Sequence, residues 1–147
     1  MSAALPVLCL GAVLWDVIGR SPAPMGPGAD VPGRIRHQPG GVALNVAAAL
    51  AARGRAAAVL GAVGTDPEGA ALIDAARALG VGVDWVHRDS ARPTDAYMAI
   101  EDSEGLIAAI ADAHSLEAAG EAVLAPLRDG RLGSAADPWR GLVVVDG

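Results

Sequence analysis

Three short stretches of this sequence carry residue types at spacings that could do chemistry on a polyol. In the first, Gly11 is followed five residues later by Asp16, where an apolar run ends. A carboxylate at the C-terminal end of a first strand can accept hydrogen bonds from two hydroxyl groups, and ligands of open α/β sheets bind beyond such strand ends. In the second, Gly40-Gly41-Val42-Ala43-Leu44-Asn45, paired glycines let the backbone approach a ligand closely and tolerate positive φ. They also open a helix whose first N–H groups are free, and Asn45 in its first turn can donate to and accept from hydroxyls. The third, Gly64-Thr65-Asp66-Pro67-Glu68-Gly69, reads first as helix punctuation. Thr65 and Glu68 have capping-box spacing and Pro67 sits near the first helical position; Asp66 and Gly69 are left over. Plainer readings stand beside these: Asp16 as a solvated strand-end carboxylate, Asn45 as a surface helix residue.

Composition narrows the chemistry. The 147 residues carry a formal net charge of −6, and all 11 basic residues are arginine. The arginines are scattered along the chain without a run that would track a phosphate backbone, which argues against nucleic-acid binding. With no lysine, a P-loop nucleotide site is excluded. Cys9 is the single cysteine; it lies in an apolar run and reads as a buried strand thiol in a reducing cytoplasm rather than as a nucleophile. His37, His87 and His114 show no metal-ligand spacing. The apolar stretch from Ala3 to Ile18 lacks a basic leader, is interrupted by Asp16, and is too short for a membrane span.

Hydrophobic residues make up 52% and charged residues 19%, the profile of one packed domain. Aromatic residues are 3%, with no Phe, so Ala, Val and Leu must build the core. Pro6 to Ala12 reads as a buried strand, Ser21 to Gly33 as a Pro/Gly-rich loop, and Gly40 to Arg53 as a helix ending at Gly54. Ala56 to Val63 reads as a second buried strand. A helix closed by Gly80 follows the third stretch, then a short strand at Val83 to His87. Between Ala96 and Ala111 two apolar segments flank Glu101 to Gly105, a hairpin with a turn longer than two residues. Ser115 to Leu127 reads as a helix and Leu142 to Val145 as a final buried strand. The order predicts an α/β fold with a mainly parallel sheet flanked by helices.

GAVLWD from Gly11 to Asp16, PGGVALNVAAALAARG from Pro39 to Gly54, and LGAVGTDPEGAAL from Leu60 to Leu72 resemble, in order and spacing, the N-terminal pattern of ribokinase-like (pfkB family) sugar and nucleoside kinases. The resemblance covers nearly the whole chain. It implies that Asp16 binds substrate hydroxyls, that Gly40, Gly41 and Asn45 lie against the sugar, and that a small β-sheet lid made of about 17–38 and 96–112 closes over it. Thr94 to Asp112 looks most like the corresponding stretch of pseudouridine kinases, which makes Tyr97 and Asp112 further substrate-side candidates. Their plainer roles are lid packing for Tyr97 and a turn cap for Asp112. A Rossmann dehydrogenase is disfavoured, because GAVLWD stands where G-x-G-x-x-G would be.

The same resemblance implies what these residues lack. The family's D-T-x-G-A-G-D type motif, with its anion hole and general-base aspartate, does not occur in the sequence, nor does its N-x-x-E motif. The expectation is an ATP- and Mg2+-dependent kinase of a ribose-containing substrate, pseudouridine foremost. This chain would supply the substrate-binding half, with the C-terminal half absent and no catalytic residue of its own. ATP and Mg2+ would be bound mostly by residues outside it, and the chain alone would be inactive. The competing reading is a non-catalytic sugar- or nucleoside-binding module, or one that dimerises through the lid sheet.

Overall fold

The computed structural model describes residues 6–146; the first residues of the apolar N-terminal run, and Gly147, lie outside them. The strands are β1 (Val7–Leu10), β2 (Leu14–Arg20), β3 (Arg34–Gly40), β4 (Ala57–Leu60), β5 (Ala62–Gly64), β6 (His87–Asp89), β7 (Ala96–Asp102), β8 (Gly105–Asp112) and β9 (Leu142–Val145). The helices are α1 (Val42–Ala51), α2 (Pro67–Ala78), α3 (Ser115–Ala119) and α4 (Ala125–Arg128), with a 3-10 turn over Gly120–Leu124. Strands β4, β1 and β9 form a parallel sheet in that order, and β5 pairs in parallel with β6. A separate four-stranded sheet has the order β3-β2-β7-β8. The fold is α/β, with helices on a parallel core and this mixed sheet beside it.

Burial follows the side-chain periodicities. Ala43, Leu44 and Ala47 of α1 are buried against β1 and β4, and α2 buries Gly69, Leu72, Ile73 and Ala76, spaced as one helical face. Alanines at these contacts let helix and sheet backbones come close, which offsets the lack of aromatic bulk. Leu8, Cys9, Val59, Leu60 and Val63 are fully enclosed. Burial pushes the Cys9 thiol pKa up, which keeps it protonated and inert.

Several elements differ from the sequence reading. The run from Ala56 to Val63 is not one strand: Gly61 divides it, so that β4 joins the parallel core and β5 pairs with β6. A methyl group on Gly61 would crowd the Gly11 carbonyl and the Val13 side chain, both at 2.8 Å. The strand expected over Val83 to His87 begins at His87, because Val86 closes a turn back to the Val83 carbonyl. The helix expected over Ser115 to Leu127 breaks into three short pieces around Gly120, at φ 51°. The hairpin turn is only two residues, Ser103 and Glu104, with the extra residue absorbed as an irregularity beside Ile100 and Glu101. Strand β9 exists but is exposed rather than buried, since β1 is its one partner among the described strands.

The cap of α2 is also one residue later than the Thr65–Glu68 box suggests. Asp66 is the N-cap and accepts from the Gly69 N–H at 2.9 Å, with Pro67 at the first helical position. Its carboxylate also accepts from the Thr94 N–H at 2.7 Å and from the Thr94 hydroxyl, while that hydroxyl oxygen accepts from the Gly64 N–H at 3.1 Å. Next to Thr94, the Asp95 carboxylate accepts from the Ser115 N–H and hydroxyl, and the Asp95 carbonyl accepts from the Trp15 N–H. These bonds tie the start of β7 to α2, α3 and β2, so they set where the second sheet leaves the core. A second tether lies at its far end. Asp102, almost fully buried, accepts from the Met25 N–H at 2.8 Å and the Glu104 N–H at 2.7 Å.

Burial on its own would raise the Asp66 carboxyl, but the bonds from Thr94 and Gly69 hold it below the ordinary aspartate value. A lowered native pKa contributes stability that is present above the unfolded value of 3.8 and is lost as pH falls through the native one. Asp66→Ala should therefore cost about 1–3 kcal/mol at neutral pH. Urea denaturation at pH 7 and pH 3 checks this: the gap between wild type and variant narrows at the lower pH.

Candidate functional site

The second sheet gathers most of the residues singled out in the sequence. Asp16 lies directly opposite Gln38 of β3 and directly beside Tyr97 of β7. Residues opposite one another across paired strands project to the same face, so Gln38, Asp16 and Tyr97 form one row. Asp16 was expected at the end of the first strand. Instead β1 stops at Leu10, the chain turns through Gly11, Ala12 and Val13, and Asp16 is the third residue of β2, inside the second sheet. Trp15, on the opposite face, donates its indole N–H to the Glu68 carbonyl at 3.0 Å, which braces β2 against the start of α2.

The glycine pair sits under this row. Gly40 ends β3 and is buried, and a methyl group on it would overlap the Asp16 carboxylate. Only a bare Cα lets the acid lie there. Gly41 is the N-cap of α1 with φ 92°, and a side chain on it would collide with the Ala12 carbonyl. At Gly41 the positive φ and the backbone clash exclude other residue types, while a side chain on Gly40 would push the acid out of its place. Asn45 follows one turn along α1, exposed, its N–H bonded to the Gly41 carbonyl at 2.9 Å. Among the described residues its side-chain amide has no partner, so both its donor and its acceptor remain available.

Asp112 does not join this group. It pairs with Ala96, which pairs with Trp15, and so stands on the face opposite Asp16. It is exposed, with His114 Nε2 at 3.9 Å. Gln38 joins the row although the sequence reading passed over it. Counting back from Gly40 in steps of two would have placed Gln38 on the Asp16 face. Asp146, hydrogen-bonded through its N–H to the Leu10 carbonyl, also approaches the bare Cα of Gly11.

Burial raises the Asp16 carboxyl above its ordinary value, with the Gln38 side chain pulling partly the other way. A partly desolvated acceptor against a bare glycine backbone can bind hydroxyl groups by accepting their protons in hydrogen bonds. No group of three or more His, Cys, Asp or Glu among the described residues could hold a metal ion, and the chain has no lysine to neutralise phosphates. No helix among them is long and apolar enough to cross a membrane.

Comparison with known proteins gives the family of this α/β chain. The profile described as pfkB family carbohydrate kinase aligns with residues 5–128, and the chain belongs to that family, with its ribokinase-like fold. Among curated proteins it is 35% identical over 107 residues to the pseudouridine kinase of Escherichia coli K12, covering 72% of this chain and 34% of that protein. It is 33% identical over 109 residues to the uncharacterised sugar kinase YeiI of the same organism, covering 74% and 30% respectively. A carbohydrate kinase structure from Agrobacterium tumefaciens superposes with a TM-score of 0.64 at 31% identity, covering 74% of this chain and 35% of that one. The chain thus spans about a third of the length of these relatives.

A carboxyl whose native pKa is raised contributes stability that is complete below the unfolded value of 3.8 and is lost as pH rises through the native one. Ionised Asp16 therefore detracts from the stability of the ligand-free protein at neutral pH. Asp16→Asn should melt at the same or a higher temperature than wild type at pH 7, with no advantage at pH 3. Thermal melts at the two pH values check this, and a lower melting temperature at pH 7 would contradict it.

Proposed function

We propose that this chain supplies the substrate-binding half of an ATP-dependent kinase acting on a ribose-containing substrate, with pseudouridine first and other nucleosides or free sugars behind it. The observation that carries the proposal is the Asp16 carboxylate resting on Gly40, in one row with Gln38 and Tyr97, in a chain of the carbohydrate kinase family. In this reading Asp16 accepts two hydrogen bonds from a ribose diol. The Gly40-Gly41 backbone lets the ring come close, and Asn45 bonds a further hydroxyl. Tyr97 offers a half-buried ring against which the sugar or base packs. The sheet formed by β3, β2, β7 and β8 acts as a lid that keeps water from competing with the substrate hydroxyl. Asp112 contributes, if at all, from the outer face of that lid. The similarity to a pseudouridine kinase supports that substrate over the others. ATP and Mg2+ enter as groups held mostly by residues that these 147 do not include.

A second reading rests on the outer face of the same sheet. Ile35 (75% exposed), Met98, Ile100 and Ile110 (69% exposed) lie there, linked through the pairs Gly19–Ile35, Gly19–Ile100 and Met98–Ile110. So much contiguous exposed aliphatic surface favours a protein partner, and a second copy of the lid would cover it. Ile110→Glu should then yield a monomer under sedimentation conditions in which the wild type is a dimer.

The substrate assignment is tested by calorimetric titration with pseudouridine, uridine, adenosine and ribose, alongside an ATP-consumption screen. Asp16→Ala should weaken the best ligand at least tenfold, and Asn45→Ala should cost about 1–3 kcal/mol. Binding unchanged in both variants would refute the site. Binding without ATP consumption would favour the non-catalytic module.

A further inference from the structure

Three arginines scattered in the sequence meet on the inner face of the second sheet. Arg20 stands directly opposite Arg34, and Arg36 directly opposite Ile18. By the pairing rule they share the face of Asp16 and Gln38. Together with Glu101 they line a cleft of about 710 Å³, a size typical of small-molecule sites. Among the described residues none of the three guanidinium groups has an ion-pair or hydrogen-bond partner. By contrast, Arg77, Arg92, Arg128 and Arg131 each pair with a carboxylate, and Arg53 and Arg88 each donate to a backbone carbonyl.

Arg20 and Arg34 are like charges directly across a strand pair, which destabilises a sheet. Glu101, beside Arg20 on β7, is the one carboxylate among the cleft's described lining residues. Three guanidinium groups against one carboxylate leave a surplus of two positive charges, on a chain whose net charge is −6. Charge on an edge strand can serve only to block edge pairing, and that would account for Arg34 and Arg36 on β3. It does not account for Arg20, because β2 is paired on both sides.

We propose that this cleft binds the phosphoryl group of a small molecule. One bidentate guanidinium satisfies a carboxylate. Three converging guanidinium groups with a surplus of two charges match a phosphate dianion, which has more oxygens to bond. Ile18, Pro22 and Pro32 supply an apolar wall suited to the organic part of a phosphate ester. Gly33, next to Pro32 in the lining, lies close against β2: a methyl group on it would fall 2.7 Å from the Arg20 carbonyl. The site shares Gln38 with the row of Asp16, but its charges come from the three arginines. Its nearest arginine row begins two residues along the strands, about 7 Å from Asp16.

The test is titration of the full 147-residue chain at low salt with inorganic phosphate and with ribose 5-phosphate, by calorimetry and phosphorus NMR. At least one probe should bind one-to-one, and the double variant R34Q/R36Q should weaken it tenfold or more. R20Q alone should weaken it too, which separates the cleft from an edge-strand effect, while R140Q, outside the cleft, should bind like wild type. All four side chains are at the surface, and matching circular-dichroism melts would confirm that the variants fold. Tighter binding of ribose 5-phosphate would identify an ester as ligand, and equal binding the free anion. Failure of both probes on the wild type, undiminished binding by the double variant, or binding of only a polyglutamate peptide would each overturn the proposal. Asp16→Asn should keep phosphate binding even where it loses ribose binding, so the two sites can fail separately.

Discussion

Where β3 ends and α1 begins, the backbone passes beneath the Asp16 carboxylate with no side chain between them. The acid lies so close that any Cβ on Gly40 would displace it, and the next residue adopts a φ open only to glycine. Much of the architecture follows from this close approach. It brings the start of the second sheet against the entry of a core helix and excludes enough water to raise the carboxyl pKa. It also sets the acid over the residue that leads into α1, whose first turn carries the exposed Asn45.

The projecting sheet is held at its base by short polar contacts as well as by Trp15, which packs against the core. Asp66 caps α2 and binds Thr94 with the same carboxylate, while Asp95 binds Ser115 at the start of α3. Trp15 reaches across to the Glu68 carbonyl. Such directional bonds fix an orientation, yet they release little apolar surface if they open.

Much of the fold was legible because apolar runs and glycines report directly on local structure: β1, both long helices and the Pro/Gly loop stand close to where the sequence puts them. The candidate site was legible where a motif forces its own geometry, as Gly40-Gly41 does. What escaped depends on pairing between distant residues. Nothing local in Ala56 to Val63 says that the strand changes sheets at Gly61, since that depends on the pairing of β5 with β6. Asp112 seemed equivalent to Tyr97, yet only register with β7 decides that it faces away. The arginines looked scattered because positions 20, 34 and 36 become neighbours only when β2 and β3 pair. The Thr65–Glu68 box was outcompeted by Asp66, whose bonds to Thr94 lie 28 residues away.

Asp102 gives the second sheet a mechanical property of its own. One of its oxygens holds the turn of the β7–β8 hairpin through the Glu104 N–H, and the other holds the Pro/Gly loop through the Met25 N–H. A single short side chain thus rivets together two loops 77 residues apart. Because carboxylate oxygens of one group cannot move independently, neither loop can swing without dragging the other. The free end of the sheet is therefore cross-braced, its hairpin turn and the Pro/Gly loop held by one and the same carboxylate.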